Sequence, residues 1–287
     1  MSSLAADHAA CAAILRRSGS SFALPIRLLP EAKRRGTTAL YAFCRVADDL
    51  VDDAADRSTA ETGLDGFAAA TEAAIAGQRS HDPVLRAVVD TVRRFAVPAE
   101  CLREILAGVR MDLDRHRYET VGELERYCSR VAGAVGVAAV HVWGFTDPRA
   151  VELSYDCGLA FQLTNILRDI PEDLGRERVY LPLEDFAACG CTVDDLLAGR
   201  IGPAFAGLAA LEIDRATRAY GRAAAIDHML TTDGRGVFRA MFGVYRAILG
   251  AVRQAGSSIF TRRVSPPRPR LLAAAAGTLL CGTRGGR

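Results

Sequence analysis

From CAAILRR near the start to VFRAMFGVYRAILGAVRQAG near the end, apolar residues recur three and four apart, the period of an amphipathic helix. The pattern holds through TALYAFCRVADDLVDD, LDGFAAATEAAIAG, PVLRAVVDTVRRFA and AECLREILAGVRMDL. It holds again in ELERYCSRVAGAVGVAAVHVWG, VELSYDCGLAFQLTNILRDI and AGLAALEIDRATRAYGRAAAID. Breaks fall at Pro30, Pro83, Pro98, the TDP at 146–148, and near Pro182 and Pro203, where helix punctuation belongs. No run of alternating β-branched residues argues for a sheet. The chain is therefore expected to be all-α and to fold as one domain, with no internal repeat and no linker long enough to divide it.

Half of the 287 residues are apolar and 24% are charged, which suits a globular protein with a sizeable core. A net charge of +2 gives no argument for nucleic acid as a partner. Of 36 basic residues only Lys33 is lysine, so no arginine is functional merely for being one. The eight cysteines include no CxxC pair and the five histidines no HxxxH, which leaves out a zinc site and suggests reduced core thiols in a cytoplasmic protein. The N-terminus lacks the basic start and apolar run of a signal peptide. No run approaches the roughly 20 apolar residues that span a bilayer. The nearest, Leu271 to Cys281, is about half that length and follows the basic RRVSPPRPR; it reads first as a core helix or a frayed tail, with peripheral contact at the inner face of a membrane as the alternative.

YAFCRVADDLVDD, residues 41–53, gathers carboxylates that repel one another. Asp48 and Asp52 are four apart and so share a helical face, a mildly unfavourable arrangement unless a cation sits between them. FQLTNILRDIPEDLGRERVYLP, 161–182, repeats the spacing at Asp169 and Asp173, with Asn165 and Gln162 one and two turns earlier on the same face. Two such clamps facing each other across a cavity cannot neutralise each other, whereas Mg2+ binds through one or two carboxylates together with waters and phosphate oxygens. Mn2+ is the alternative ion. Pro171, between Asp169 and Asp173, removes a helix donor and predicts a kink or a helix end at the second motif.

LLPxxKRRxxxALYAFCRxxDDxVD, YCxRVAGxVG and QLTNILRDxxEDxxRxRVYLP together, in this order, resemble the signatures of the squalene and phytoene synthases, head-to-head trans-prenyltransferases of the isoprenoid synthase fold. The likeness runs roughly from residue 18 to 263, leaving 1–17 as an N-terminal segment and 264–287 as a basic, apolar tail. The resemblance implies a helical bundle around a central cavity that takes two allylic prenyl diphosphates. It also implies condensation through a cyclopropylcarbinyl diphosphate to a C30 or C40 hydrocarbon. Carried onto this sequence, Asp48, Asp52, Asn165, Asp169 and Asp173 are the metal ligands. Arg45, Arg168, Gln162, Ser18, Ser21, Tyr245 and Arg262 or Arg263 are diphosphate contacts, with Arg45 also assigned to catalysis. Tyr41 and Tyr127 stand near the reacting carbons. Relatives often have a basic residue within the SGSSF loop; Gly19 and Ser20 supply none here.

Each residue also has an ordinary reading: an intrahelical ion pair for Arg45, an N-cap for the serines, a buried satisfied phenol for the tyrosines. Gly133 and Gly136 suit close helix packing, room for a prenyl chain, or both. A magnesium-dependent nucleotide pyrophosphohydrolase would carry Glu-rich motifs, which are missing. A non-catalytic assembly factor would have lost metal aspartates, which are present. The product (phytoene, squalene, dehydrosqualene, hydroxysqualene or presqualene diphosphate), the C15 or C20 substrate, NADPH use and the oligomeric state stay open.

Overall fold

The computed structural model describes residues 3–114 and 117–282, the side chains of 268 and 277–282 excepted. Every named element among the described residues is helical. In order they are α1 (Leu4–Arg17), α2 (Ala23–Ile26), α3 (Glu31–Asp52), α4 (Arg57–Ile75), α5 (Pro83–Phe95) and α6 (Glu100–Asp114). Next come α7 (Val121–Cys128), α8 (Ala134–Trp143), α9 (Arg149–Leu174), α10 (Leu183–Cys189) and α11 (Val193–Leu197). The chain closes with α12 (Pro203–Ala223), α13 (Ile226–Met229), α14 (Thr232–Ala255) and α15 (Arg268–Gly282). The prolines act as expected: Pro30 and Pro182 cap α3 and α10, and Pro83 and Pro203 open α5 and α12, where a missing N–H costs nothing. None of the described helices is long and apolar enough to cross a membrane.

Contacts within the chain gather into two units. The first comprises 1–114, 134–154 and 226–238. Here α3 is the centre, packing on α1, α4, α5, α6 and α8. Its middle is small and tight: Ala39, Ala42, Phe43 and Ala47 are fully buried, and a Cβ on Gly36 would come within 3.0 Å of Phe95 and Thr91. Asp7 of α1, 2% exposed, takes both prongs of Arg86 at 2.8 and 2.5 Å, which satisfies a buried charge in place. Lys33 is held the same way. Its Nζ donates to the Trp143 carbonyl at 2.7 Å and lies 3.2 Å from Asp233, at the point where Gly144 closes α8 with φ +85°.

The second unit comprises 115–133, 155–225 and 239–287. α12 packs on α10 and on the 3-10 turn Gly256–Phe260. Its centre holds a fully buried acid, Glu212, whose carboxyl is pushed up to about 7 by burial first and by neighbouring Asp185 second. Arg215 Nη1 reaches Glu212 at 2.5 Å and Asp185 at 2.8 Å, so one guanidinium serves two carboxyl groups.

Two local features stand out, one a departure from the sequence pattern and one the helix end expected near Pro171. The long helix expected over ELERYCSRVAGAVGVAAVHVWG is interrupted by a π-turn at Ser129–Gly133. At that turn a Cβ on Gly158 would lie 2.4 Å from the Gly133 nitrogen, and one on Gly133 would lie 2.6 Å from the Tyr155 ring. The backbones touch, so close packing is what these glycines serve. Second, α9 continues through Pro171 and stops three residues later at Leu174. Pro171 lies in the last turn, where its missing N–H leaves the Leu167 carbonyl without the usual i+4 donor and the helix ends soon after.

Candidate active site

α3 delivers Tyr41, Arg45, Asp48 and Asp52 along one stripe and ends at Asp52, with Asp53 as its C-cap. Carboxylates here also face the negative end of the helix dipole, and no basic residue stands in the last turn to offset it. Arg45 spends its charge on Asp49, at 2.6 Å and one turn away. That is the intrahelical pair the spacing allows, made with Asp49 rather than Asp48. No guanidinium or ammonium of the described residues lies within ion-pair distance of Asp48. Its carboxyl is pushed up to about 7, by the protein crowded around it, then by Asp52, then by Asp112 of α6. Asp48 nevertheless keeps an accessible surface, so a ligand from solvent can reach it.

Tyr41 is half-buried and meets Phe22 edge to face at 6.4 Å. The serine loop is a self-contained turn. Ser18 closes α1 as its C-cap, donating to the Leu15 carbonyl at 2.8 Å and accepting from Ser20 N, and Ser20 accepts from Phe22 N. The N-cap reading of Ser18 is thus corrected: its hydroxyl turns back onto the preceding helix. Ser21 makes no hydrogen bond among the described residues.

The second motif is arranged differently. On α9, Asn165 Nδ2 donates to Gln162 at 3.4 Å, and Asn165 Oδ1 is buried with no donor among the described residues. Asp169 is gripped by Arg168 at 2.8 and 2.5 Å and by Arg263 at 2.9 Å, and Arg263 also reaches Glu172 at 3.1 Å. Of the two arginines in the C-terminal pair, Arg263 makes these contacts, while Arg262 is exposed and in no ion pair among the described residues. Asp173 closes the helix end, its carbonyl accepting from the N–H groups of Arg176 and Arg178.

Aromatic rings back the second unit's site residues. Tyr127 is buried and stacks on Tyr180 at 5.1 Å, with Tyr118 5.5 Å away. Tyr245 lies flat on Phe161 of α9 at 4.1 Å. Tyr118 and Tyr180 were missed as site neighbours; Tyr180 stands in the quoted RVYLP, where a second tyrosine was the available signal.

Each motif taken by itself offers the oxygen donors that suit a hard divalent cation. In the first unit these are Asp48 and Asp52; in the second they are Asp169, Asp173 and Asn165, whose Oδ1 is buried with no hydrogen-bond partner among the described residues. Among the described residues no three His, Cys, Asp or Glu side chains converge into a cage. An ion bound by one or two carboxylates, with waters and phosphate completing its shell, needs none.

The family model for squalene/phytoene synthase matches residues 15–270. A 15-cis-phytoene synthase of Synechocystis sp. is 36% identical over 91% of this chain and 81% of its own length. A phytoene synthase of Arthrospira platensis is 37% identical over 90% of this chain and 87% of its own. The backbone superposes on a crystal structure of a dehydrosqualene synthase in complex with ligand with a TM-score of 0.87, at 29% identity and 98% coverage of both chains. With the signature motifs on helices and a match across most of its length, the chain belongs to the squalene/phytoene synthase family.

Proposed function

We propose that this chain joins two allylic prenyl diphosphates head to head, through a cyclopropylcarbinyl diphosphate, to a phytoene-type or squalene-type hydrocarbon. The observation that carries the reading is Asp48: one turn from Asp52 on α3, in no ion pair among the described residues and with surface left open to solvent, its carboxyl is raised by burial first and by Asp52 and Asp112 after it. Family membership supplies the reaction class, and the relatives' names make a phytoene-type product the first to test.

Asp48, Asp52, Asn165, Asp169 and Asp173 would hold Mg2+, with Mn2+ as a substitute. When bound, the ion neutralises charge growing on the departing diphosphate. Arg45, Arg168, Gln162, Ser18, Ser21, Tyr245 and Arg262 are assigned to the diphosphate groups, with Arg263 added on its contacts with Asp169. Tyr41 and Tyr127 stabilise positive charge on the reacting carbons or move a proton from them. Apolar helix faces keep water from quenching the cation. The catalytic region is taken as 18–263, flanked by 1–17 and 264–287.

The test is incubation with farnesyl or geranylgeranyl diphosphate, with and without NADPH, followed by mass analysis of the lipid extract. A C40 hydrocarbon from the C20 substrate, lost on chelation, is the expected result. Asp48→Asn should lower turnover by about a hundredfold or more, the scale of removing one charge-stabilising element. A C30 product would keep the reaction and change the assigned substrate. No coupled product from either diphosphate would sink the proposal.

A further inference from the structure

A groove of about 760 Å3 runs along the first unit between α1, α2 and the start of α3. Its floor is apolar, built from Ala5, Ala9, Ala12 and Leu15 of α1 and Ile26 of α2. Its rim carries Arg16, Arg27, Arg34 and Arg35 against one carboxylate, Glu31. Glu31 is already taken, with Oε1 2.5 Å from Arg35. The other three guanidiniums are exposed, and none is in an ion pair among the described residues. Four arginines less one glutamate leave the groove at +3.

Apolar side chains crowd the same place. Six large hydrophobic residues are exposed among the described residues, and three of them, Leu4, Leu24 and Leu28, lie at the head of α1 and in or just after α2. Leu24 lines the groove, and the Leu28 N–H closes the α2 turn onto Pro25. Exposed leucines beside unneutralised arginines match a surface that lies in a lipid interface. The leucines enter the acyl boundary, and the guanidiniums meet phosphates while their stems cover the apolar floor. A second copy of this chain would bring an identical positive rim against this one, which like charge opposes. A nucleic acid would leave the leucines unburied.

We propose that this face docks on an anionic membrane surface, with Arg16, Arg27 and Arg34 on phosphate headgroups and Leu24 and Leu28 in the acyl boundary. The contact is independent of the reaction assigned above, and it lies on the N-terminal helices rather than the basic tail.

The full chain is sedimented with vesicles of phosphatidylcholine, alone or mixed with phosphatidylglycerol. Binding should be at least about tenfold tighter to the anionic vesicles and should weaken with salt. Each arginine near such a surface is worth roughly fivefold, so R16Q/R27Q/R34Q should lose about a hundredfold. R16K/R27K/R34K should keep most of the binding, and L24S/L28S should weaken it at unchanged charge. Melting curves show that each variant is folded, and turnover in detergent should stay as in the parent. Three results would overturn the proposal. One is equal binding to both vesicle types. Another is a folded R16Q/R27Q/R34Q that binds like the parent. The last is loss of binding on deleting 264–287 while R16Q/R27Q/R34Q retains it.

Discussion

Asp48 and Asp169 open the same four-residue aspartate spacing on two long helices, yet their carboxylates meet different surroundings. Asp48 is pushed toward neutrality by burial first and then by the carboxylates of Asp52 and Asp112. Asp169 has two arginines, one adjacent on α9 and one from the segment after α14. The first motif stores repulsion that a cation would relieve. The second is already neutralised from within, so a cation must compete with guanidinium for it. Equal spacing in sequence does not give equal readiness for metal.

The largest effect should come from supplying what the first motif lacks. Mg2+ with inorganic diphosphate should raise the melting temperature markedly. A ligand at a hundred times its dissociation constant stabilises by about 2.7 kcal/mol, and either component alone should do little. Asp48→Asn should abolish the joint shift. A mutant keeping it would remove Asp48 from the metal site.

Without ligand, the two motifs should respond oppositely to the same substitution. Asp169→Asn takes the carboxylate from the part-buried Arg168, while the exposed Arg263 keeps Glu172, and should cost about 1–3 kcal/mol in denaturant unfolding. Asp48→Asn should be neutral or slightly stabilising, because it removes repulsion. Equal losses would erase the contrast.

The smallest effect sharpens the comparison with a control. Glu212 is also raised to about 7, but it has Arg215 beside it. Folded protein holds a proton there that the unfolded chain releases above about 4.5, so stability falls as pH rises from 4.5 toward 7 and levels off beyond. Glu212→Gln should flatten that slope, by up to about 1 kcal/mol per pH unit. An unchanged slope would mean that Glu212 stays ionised across the window.

The helices were legible because apolar spacing and proline position are local properties, and α3 and α9 appear where the pattern puts them. α10 and α11 were not read, because five to seven residues are too few to establish a period. The π-turn at 129–133 was hidden for another reason: it lies where the chain packs against Gly158, far off in sequence, and only the glycines hinted at it. The aspartate stripes could be read as single-helix features. The grip of Arg263 on Asp169 spans 94 residues, and in a chain with almost no lysine nothing distinguishes that arginine from its neighbours. Glu212 and Arg215 are an ordinary i,i+3 pair on paper; burial of the acid is decided by α10 and α12 packing together.

The near absence of lysine has a practical consequence. The chain's one ε-amine is already bound to the Trp143 carbonyl and set beside Asp233, with Thr231 at 3.4 Å. Acylation by an activated ester needs a free, deprotonated amine, so Lys33 should react only when α3 parts from the end of α8. The rate of acylation at this one position is a built-in clock for opening of the first unit, readable by peptide mass without introducing any label site.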